Sequence, residues 1–226
     1  MTAPPTPTPT PPPLDDFHPP YHLGAFGCVV LGAWSDAPDE RAGFEPLSWG
    51  RGYLGAALVL RYDRPPADYP VPYSEVILSY VMRRGARCAA LPFDLVLDNP
   101  FYVEAGIRHY HLPKRLDPTL RIELDATRRI TCAGSDLAFE AELGSVAVPG
   151  AKGIVSMLLR GFTGHVPILG AASRPFLRTI IRVSPEPATT YRARGAHVAA
   201  RGRTLKPLAA FFWRSLAITV GAPAPL

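Results

Sequence analysis

Lys114 is the residue of this sequence best suited to covalent chemistry. Lysine is scarce in the chain, which has 3 lysines and 21 arginines. A guanidinium stays protonated at physiological pH, whereas a lysine amine can lose its proton and attack a carbonyl carbon. Lys114 also lies in an unusual string, GIRHYHLPKRL, at residues 106–116. We therefore consider Lys114 a candidate nucleophile, and the alternative is an ordinary lysine on a solvated surface.

A lysine nucleophile needs surroundings that favour the neutral amine. A free lysine side chain has a pKa of about 10.4, so a nucleophile at pH 7 needs a value lower by about 3 units. That change corresponds to about 4 kcal/mol, which burial among apolar residues can supply. If residues 112–115 are extended, as a residue before proline prefers, Arg115 points away from Lys114. Desolvation is then the main activating effect, and the candidate apolar neighbours are Val76, Leu78, Phe101, Tyr102, Leu112 and Leu116.

Glu75 is the second candidate because it interrupts an apolar strand pattern. Residues 74–81 read SEVILSYV. Strand alternation places Glu75 on one face with residues 77, 79 and 81, and places Val76, Leu78 and Tyr80 on the other. A carboxylate in this position is either solvated at the end of the strand or buried with a partner. The local pattern leaves both readings open.

The two histidines of the same string could contribute to binding. His109 and His111 would face the same way on a strand and could supply two metal ligands. No third ligand is evident, so we predict no metal and interpret both as packed or surface histidines. Either histidine, or Arg108, could instead contact a substrate carboxylate.

The elements that must position these residues are mostly strands. Runs of β-favouring residues alternate with glycine and proline breaks, a pattern typical of a sandwich or barrel. The predicted strands are residues 25–31, 53–62, 74–82, 89–97 and 120–124. Helices are predicted inside 99–108, where a proline can occupy the first turn, and near 208–218. We expect residues 161–165 to form a turn and the aromatic residues 210–213 to pack against the barrel or a neighbouring subunit.

Composition predicts one folded domain behind a disordered tail. The chain has 226 residues, of which 47% are hydrophobic and 19% charged. Residues 1–16 begin with a proline and threonine tract and are predicted to be disordered, and residues 17–226 to form a single domain. We find no signal peptide or membrane span. Three widely spaced cysteines argue against disulfides and favour the cytoplasm.

Charge and motifs exclude several classes of function. The net charge is +5 with a pI of about 9.3, but the arginines form no runs with interleaved aromatic residues, so we predict no nucleic-acid partner. No serine lies in a Gly-x-Ser-x-Gly context, and no glycine loop matches a phosphate cradle. The sequence thus gives no support to a hydrolase or a nucleotide-binding protein.

Three segments occur in an order that resembles the acetoacetate decarboxylase family. The first is Glu-Pro-Leu at 45–47, followed by a strand that ends at Tyr62-Asp63. The second is Tyr-Ser-Glu at 73–75. The third runs from Asp98-Asn99 through Gly106 to Pro-Lys-Arg-Leu at 113–116. The similar region spans residues 44–124, about a third of the chain.

The resemblance implies a fold, a set of site residues and a reaction class. The family fold is an antiparallel β barrel or cone with a few short helices, so we expect a mainly β protein. Lys114 corresponds to the Schiff-base lysine, Glu75 to an active-site glutamate, and Arg115 to the position of a second lysine. We assign substrate binding to Tyr73, Arg108 and His109. The resemblance further implies a homo-oligomer that acts on a small keto acid and uses no cofactor.

The sequence also departs from the family pattern. The family's Gly-Arg-Glu reads Gly106-Ile107-Arg108, and residues 1–40 contain no arginine to hold a substrate carboxylate. The position of a second pocket glutamate corresponds to Ala57 or a neighbour. We therefore predict a lysine Schiff-base lyase for a small or medium keto acid, acting by decarboxylation of a β-keto acid or by aldol and dehydration chemistry on an α-keto acid. The alternative is a non-catalytic protein that binds a small molecule in the same β-cone cavity.

Overall fold

A computed structural model describes residues 9–38, 44–85, 87–125, 128–147, 166–168, 177–179, 181–185 and 190–225. The turn predicted at 161–165 lies outside these ranges. The strands are β1 Tyr21–Trp34, β2 Glu45–Pro46, β3 Ser48–Trp49, β4 Gly52–Arg64, β5 Tyr73–Arg84, β6 Arg87–Leu97, β7 Lys114–Leu116, β8 Arg121–Leu124, β9 Arg129–Ala133, β10 Leu137–Ala147, β11 Val166–Ile168, β12 Leu177–Thr179, β13 Ile181–Pro185, β14 Thr190–Ala200, β15 Arg203–Val220 and β16 Ala224–Pro225. The single α-helix of the described ranges is α1, Pro100–Tyr110, and a short 3-10 helix spans Leu14–Asp16.

One large sheet forms most of the described structure and curls into a half-barrel. Its main path is β7-β6-β5-β4-β1-β15-β14-β10-β9-β8, with β2, β3 and β13 paired at its sides. Neighbouring strands are antiparallel except β6 and β7, which run parallel. A separate small sheet contains β11, β12 and β16. The predicted fold, a mainly β antiparallel barrel or cone with few helices, is confirmed.

Side chains of the sheet pack on both of its faces because strand residues alternate between them. On β4, Ala57 and Val59 enter one apolar cluster, whereas Ala56 and Leu60 enter a second. The strand β5 alternates in the same way, with Val76 and Leu78 in the first cluster. The second cluster surrounds a cavity between the sheet and α1.

The predicted helix at 208–218 is wrong, because this segment is the second half of β15. That strand pairs with β1 along one edge and with β13 and β14 along the other. Leu216 and Ile218 are buried and Ala217 between them is exposed, which is the period of a strand. Ladder hydrogen bonds on both edges override the helix propensity of this segment's leucines and alanines. Residues 210–213 are buried in both clusters, so they pack against the barrel as expected.

The helix α1 forms where the sequence predicts it. Asn99 caps its N-terminus, with the side-chain oxygen accepting a hydrogen bond from the Phe101 N–H at 3.0 Å, and Pro100 occupies the first turn. His111 ends the helix in the left-handed conformation, with φ of 53°, and its N–H donates to the Ile107 carbonyl at 3.1 Å. This reversal returns the chain to the sheet edge, where β7 begins at Lys114.

No helix within the described ranges is long and apolar enough to span a membrane. The segment that precedes β1 contacts the domain: Phe17 is 1% exposed and stacks on Tyr21. The boundary between tail and domain at residue 17 stays a prediction.

Candidate active site

The second apolar cluster encloses a cavity of about 230 Å³. Its walls come from β1, β4, β5, β6, β15 and α1, and Phe17 contributes from the N-terminal segment. Glu75 and Lys114 are the only charged residues among the described residues that line it. The lining residues are Phe17, Tyr21, Leu23, Val29, Leu31, Ala56, Leu58, Leu60, Tyr62, Pro66, Tyr73, Glu75, Ile77, Ser79, Ala90, Pro92, Leu95, Tyr102, Ala105, Gly106, Tyr110, Leu112, Lys114, Trp213, Leu216, Ile218 and Val220.

Lys114 and Glu75 form an ion pair at the edge of this cavity. The Nζ of Lys114 donates to the Oε1 of Glu75 at 2.8 Å, and their side chains are 11% and 6% exposed. Glu75 lies opposite Leu97 on β6, and Lys114 lies beside Leu95 of the same strand. Because β5 and β7 flank β6, the two side chains reach the same space. The reading of Glu75 as a solvated glutamate at a strand end is therefore wrong.

Gly106 of α1 makes room for the lysine. A Cβ at position 106 would lie 2.3 Å from Cδ and 2.4 Å from Cε of Lys114, so a side chain there would require the lysine to move. A glycine inside a helix costs about 1 kcal/mol relative to alanine. The space that this glycine leaves allows the extended lysine side chain to lie directly against the helix backbone on its way to Glu75.

Tyr62 holds the other oxygen of the glutamate. Its hydroxyl donates to Oε2 of Glu75 at 3.0 Å, and both residues are buried. Burial and the neighbouring Glu75 raise the pKa of Tyr62 well above its ordinary value. The phenol therefore stays a hydrogen-bond donor, and each oxygen of Glu75 has one donor.

Tyr73 lies in a stack of three aromatic rings at the cavity wall. Its ring centroid is 4.4 Å from that of Tyr62 and 3.9 Å from that of Tyr102. The Tyr102 hydroxyl donates to the Tyr69 carbonyl, which fixes the outer ring. Burial, followed by the neighbouring Tyr62 and Glu75, raises the pKa of Tyr73 well above its ordinary value. Tyr73 is thus a neutral phenol that faces the cavity beside the ion pair.

Arg115 points away from Lys114, as the extended backbone predicted. Its guanidinium binds both oxygens of Asp94, at 2.9 and 3.0 Å, and Asp136 at 2.6 Å. The hydrogen bonds that Arg115 donates to Asp94 raise the pKa of Arg115. Arg115 is not among the residues of the cavity lining. It ties β7 to β6 and to the turn before β10.

Arg108 and His109 also lie outside the cavity lining. Arg108 forms an ion pair with Asp15 of the N-terminal segment and is half-exposed. The ring of His109 lies 6.1 Å from that of His18. Burial, His18 and Arg108 lower the pKa of His109. Both residues lie at the end of α1 and face the N-terminal segment. They are therefore not placed to contact a molecule in the cavity directly.

The histidine pair lacks the geometry that would favour a metal. His109 is helical, and His111 is the left-handed residue that ends the helix. The two residues therefore do not alternate on a strand. Over the described ranges, no group of three or more His, Cys, Asp or Glu residues could hold a metal ion.

Several apolar neighbours differ from the predicted set. Leu112 and Tyr102 line the cavity, but Val76 and Leu78 lie on the opposite face of β5. Leu116 is 44% exposed. The remaining candidate, Phe101, is buried in the second cluster without lining the cavity.

The cavity face of β4 has no carboxylate. Its residues are Ala56, Leu58, Leu60 and Tyr62. Leu60 pairs with Glu75 across the two strands, whereas Ala57 belongs to the first cluster on the other face. Ala57 therefore does not face the cavity, and its neighbours Ala56 and Leu58 line it without a carboxylate.

The comparisons with known proteins agree with this architecture. No protein-family model and no curated protein matches the sequence. Among solved structures, acetoacetate decarboxylase from Legionella pneumophila is similar with a TM-score of 0.69, covering 92% of this chain and 87% of that chain at 9% identity. The enduracididine biosynthesis enzyme MppR, complexed with the condensation product of pyruvate and imidazole 4-carboxaldehyde, is similar with a TM-score of 0.66, covering 92% of this chain and 89% of its own at 12% identity.

A third similar structure is an acetoacetate decarboxylase-like enzyme from Sphingomonas wittichii RW1. Its TM-score is 0.61 at 16% identity, and the likeness covers 91% of this chain and 92% of that chain. Likeness at such low identity concerns the arrangement of strands and helices. The chain therefore has the acetoacetate decarboxylase-like fold that the motifs between residues 44 and 124 predicted.

Proposed function

We propose that this protein is an enzyme in which Lys114 forms a Schiff base with the carbonyl carbon of a keto acid. The observation that carries the proposal is the 2.8 Å contact between Lys114 Nζ and Glu75 Oε1 inside an apolar cavity. An amine beside a base, with a third group that orients the base, is the arrangement that covalent catalysis requires. Tyr62 is that third group, since it holds the second oxygen of Glu75.

Glu75 can carry out two of the three proton transfers of imine formation. It accepts a proton from the Lys114 ammonium, and the neutral amine then attacks the carbonyl carbon to form a C–N bond. A proton moves from nitrogen to the former carbonyl oxygen, which gives a carbinolamine. Glu75 returns its proton to this hydroxyl, the C–O bond breaks, and water leaves. The product is a protonated imine beside an ionised Glu75.

The surroundings stabilise that product. The positive iminium replaces the ammonium beside the Glu75 carboxylate, so this pair of opposite charges is kept, and the substrate carboxylate adds one negative charge close to the iminium. Once a substrate fills the cavity, the apolar walls leave little room for water, which strengthens this interaction and protects the imine from hydrolysis. The Tyr62 hydroxyl keeps Oε1 of Glu75 directed at the nitrogen.

Two reactions can follow from one protonated imine. In a β-keto acid, the bond to the carboxylate breaks, its electron pair forms an enamine, and CO2 leaves. In an α-keto acid, Glu75 accepts a proton from the carbon next to the imine, and the resulting enamine attacks an aldehyde to form a C–C bond. The aldehyde oxygen takes up this proton as a hydroxyl group, which then leaves as water in the dehydration step. The ligand of MppR, a condensation product of pyruvate and an aldehyde, is of the second kind. Both reactions are lyase reactions, and both would start from the same imine at Lys114.

The other predicted site residues receive different roles in this proposal. Tyr73 offers a neutral hydroxyl and a stacked ring to the substrate beside the ion pair. Arg115 is a positioning residue, because its contacts with Asp94 fix the strand that carries Lys114. Arg108 and His109 contact the N-terminal segment and would affect the cavity only by positioning that segment. Homo-oligomerisation and a cytoplasmic location stay predictions.

A protein that binds a small molecule without catalysis is the second candidate. The observation that favours it is that no guanidinium lines the cavity among the described residues. A substrate carboxylate would then lack the partner that a keto acid enzyme commonly provides. In that case the cavity would hold an apolar ligand, and Lys114 and Glu75 would form only a buried ion pair.

Exchange of carbon-bound protons tests the proposal against this alternative. An imine in equilibrium with its enamine exchanges the methyl protons of pyruvate for solvent deuterium, which NMR follows directly. We expect exchange with the wild-type protein and with Lys206→Met, a matched change at an exposed lysine. We expect none above the uncatalysed rate with Lys114→Met. Equal rates for wild type and Lys114→Met would overturn the proposal.

A further inference from the structure

The cavity extends well beyond the reacting pair. Lys114 lies on β7, whereas Trp213 and Ile218 line the cavity from β15, five strands away in the sheet order. Strands are spaced by about 4.8 Å, so the lining covers roughly 24 Å along the curved sheet. The volume of about 230 Å³ exceeds that of a cavity of about 150 Å³ that holds benzene. A three- or four-carbon acid attached to Lys114 would leave most of this space empty.

Among the described residues, the distant part of the cavity has no charged side chain, and its unpaired polar atom is the Nε1–H donor of Trp213. Three arginines lie nearby in the fold, but each is bound to an acid: Arg61 to Asp98 at 3.4 Å, Arg108 to Asp15, and Arg115 to Asp94. Glu75 and Lys114 pair with each other. A second charged group on the substrate would be buried there without an oppositely charged partner, which is unfavourable.

We propose that the substrate is a keto acid with a bulky hydrocarbon or aromatic substituent, which lies between the Lys114 end of the cavity and β15. The inference rests on the proposed function and specifies its substrate class. The carbonyl group lies at Nζ of Lys114, and the substituent displaces water from apolar walls. Selectivity then comes from apolar burial, because the cavity lacks a second cationic group to recognise a small dicarboxylate.

The dependence of adduct formation on the length of the keto acid tests this substrate class with the wild-type protein. Straight-chain 2-oxo acids from pyruvate to 2-oxooctanoate, together with phenylpyruvate, are trapped by borohydride, and the mass increase at Lys114 is followed against acid concentration. Each buried methylene should lower the half-saturating concentration by about fourfold. We expect the longer acids and phenylpyruvate to saturate at concentrations at least tenfold lower than pyruvate. A half-saturating concentration that stays constant or rises with length would overturn the inference.

A variant pair locates the substituent. Ala56 lines the cavity on β4, four residues along the strand from Leu60, the partner of Glu75. Ala56→Leu fills that space and should reduce the preference for 2-oxooctanoate over pyruvate at least tenfold. Ala217→Leu, the same change at an exposed position of β15, should keep the wild-type preference. An unchanged preference in a folded Ala56→Leu protein would contradict the proposed location.

The trapping experiment distinguishes a wrong substrate class from the absence of a Schiff base. Adducts at Lys114 with every acid but no dependence on chain length would overturn the substrate class and retain the Schiff base. Absence of adducts with all acids would overturn the proposed function, and with it this inference.

Discussion

The side chain of Lys114 lies so close to the backbone of Gly106 that a methyl group at position 106 would come within 2.3 Å of the lysine Cδ. The helix cannot yield easily, since its next turn is buried against the sheet through Tyr110 and its preceding turn through Tyr102. Any side chain at position 106 must therefore move the lysine.

Gly106→Ala should impair imine formation although it raises helix propensity. Alanine is favoured over glycine by about 1 kcal/mol in a helix interior, but here the added methyl group displaces Lys114 from Glu75. We expect at least a tenfold loss in the rate of borohydride trapping. Ile107→Ala, at a residue that is 40% exposed, is the control and should react like wild type. Wild-type trapping by a folded Gly106→Ala protein would show that the contact has no role.

Lys114 and Glu75 should be coupled in stability. Removal of one partner of a buried ion pair costs about 3–5 kcal/mol, because the other charge is left unpaired. We expect Lys114→Met to be destabilised in this range and the double variant Lys114→Met with Glu75→Gln to be less destabilised than the sum of the single changes. Urea unfolding of the four proteins measures the coupling, for which about 0.5–3 kcal/mol is typical of contacting residues. Additive effects would mean that the two side chains do not interact in solution.

Asp117 should make stability depend on pH in acid. It is buried and accepts hydrogen bonds from the backbone and hydroxyl groups of Thr119 and Ser135, at 2.6 to 2.9 Å. Burial opposes its ionisation, but these hydrogen bonds outweigh that effect and lower the pKa of Asp117 from 3.8 to about 2. The depressed pKa means that the stabilising contribution of Asp117 is complete above about pH 5 and is lost as the pH falls towards 2.

The pH dependence of the free energy of unfolding is measured for the wild type and for Asp117→Asn. Between pH 5 and pH 2, the free energy of unfolding of the wild type should fall by about 2 kcal/mol more than that of the variant. Denaturant unfolding at a series of pH values gives both curves. Parallel curves would show that Asp117 is not held in its ionised form by the folded structure.

The N-terminal segment, residues 13–17, should matter through Phe17 and little through its ion pair. Phe17 is 1% exposed and lines the cavity, so Phe17→Ala should cost about 3–5 kcal/mol. The pair of Arg108 with Asp15 is exposed, and Arg108→Gln should cost less than about 1 kcal/mol. Thermal unfolding of the Phe17→Ala and Arg108→Gln proteins measures the loss of stability in each.

The same Arg108→Gln protein tests whether Arg108 binds substrate. Because its guanidinium lies on Asp15 and outside the cavity lining, we expect the half-saturating keto acid concentration to change less than twofold. A weakening of more than tenfold would place Arg108 on the substrate carboxylate, as the sequence suggested.

The sequence was most informative where a local pattern determines the structure. The scarcity of lysine singled out Lys114, alternation within β5 placed Glu75 on the face of Ile77, and the Asn99-Pro100 pair predicted the start of α1. The extended backbone expected for residues 112–115 correctly predicted that Arg115 points away from Lys114. These features depend on neighbours within a few residues.

The rest of the site depends on long-range pairing, which no local pattern reveals. Tyr62 reaches Glu75 because β4 pairs with β5, and Trp213 lines the cavity because β15 lies beside β1. The same pairing converts residues 208–218 from a predicted helix into a strand. Tyr62 could have been suspected, since it ends the strand preceding Glu75 on the same predicted sheet.

The position of a trapped adduct tests the central claim most directly. The chain has 3 lysines, at positions 114, 152 and 206, so borohydride reduction with a keto acid followed by peptide mass analysis identifies the reacting amine unambiguously. We predict that the substrate skeleton is attached to Lys114 alone and that Lys114→Met protein gains no mass. An adduct confined to another lysine, or no adduct at all, would contradict the proposal that Lys114 forms a Schiff base.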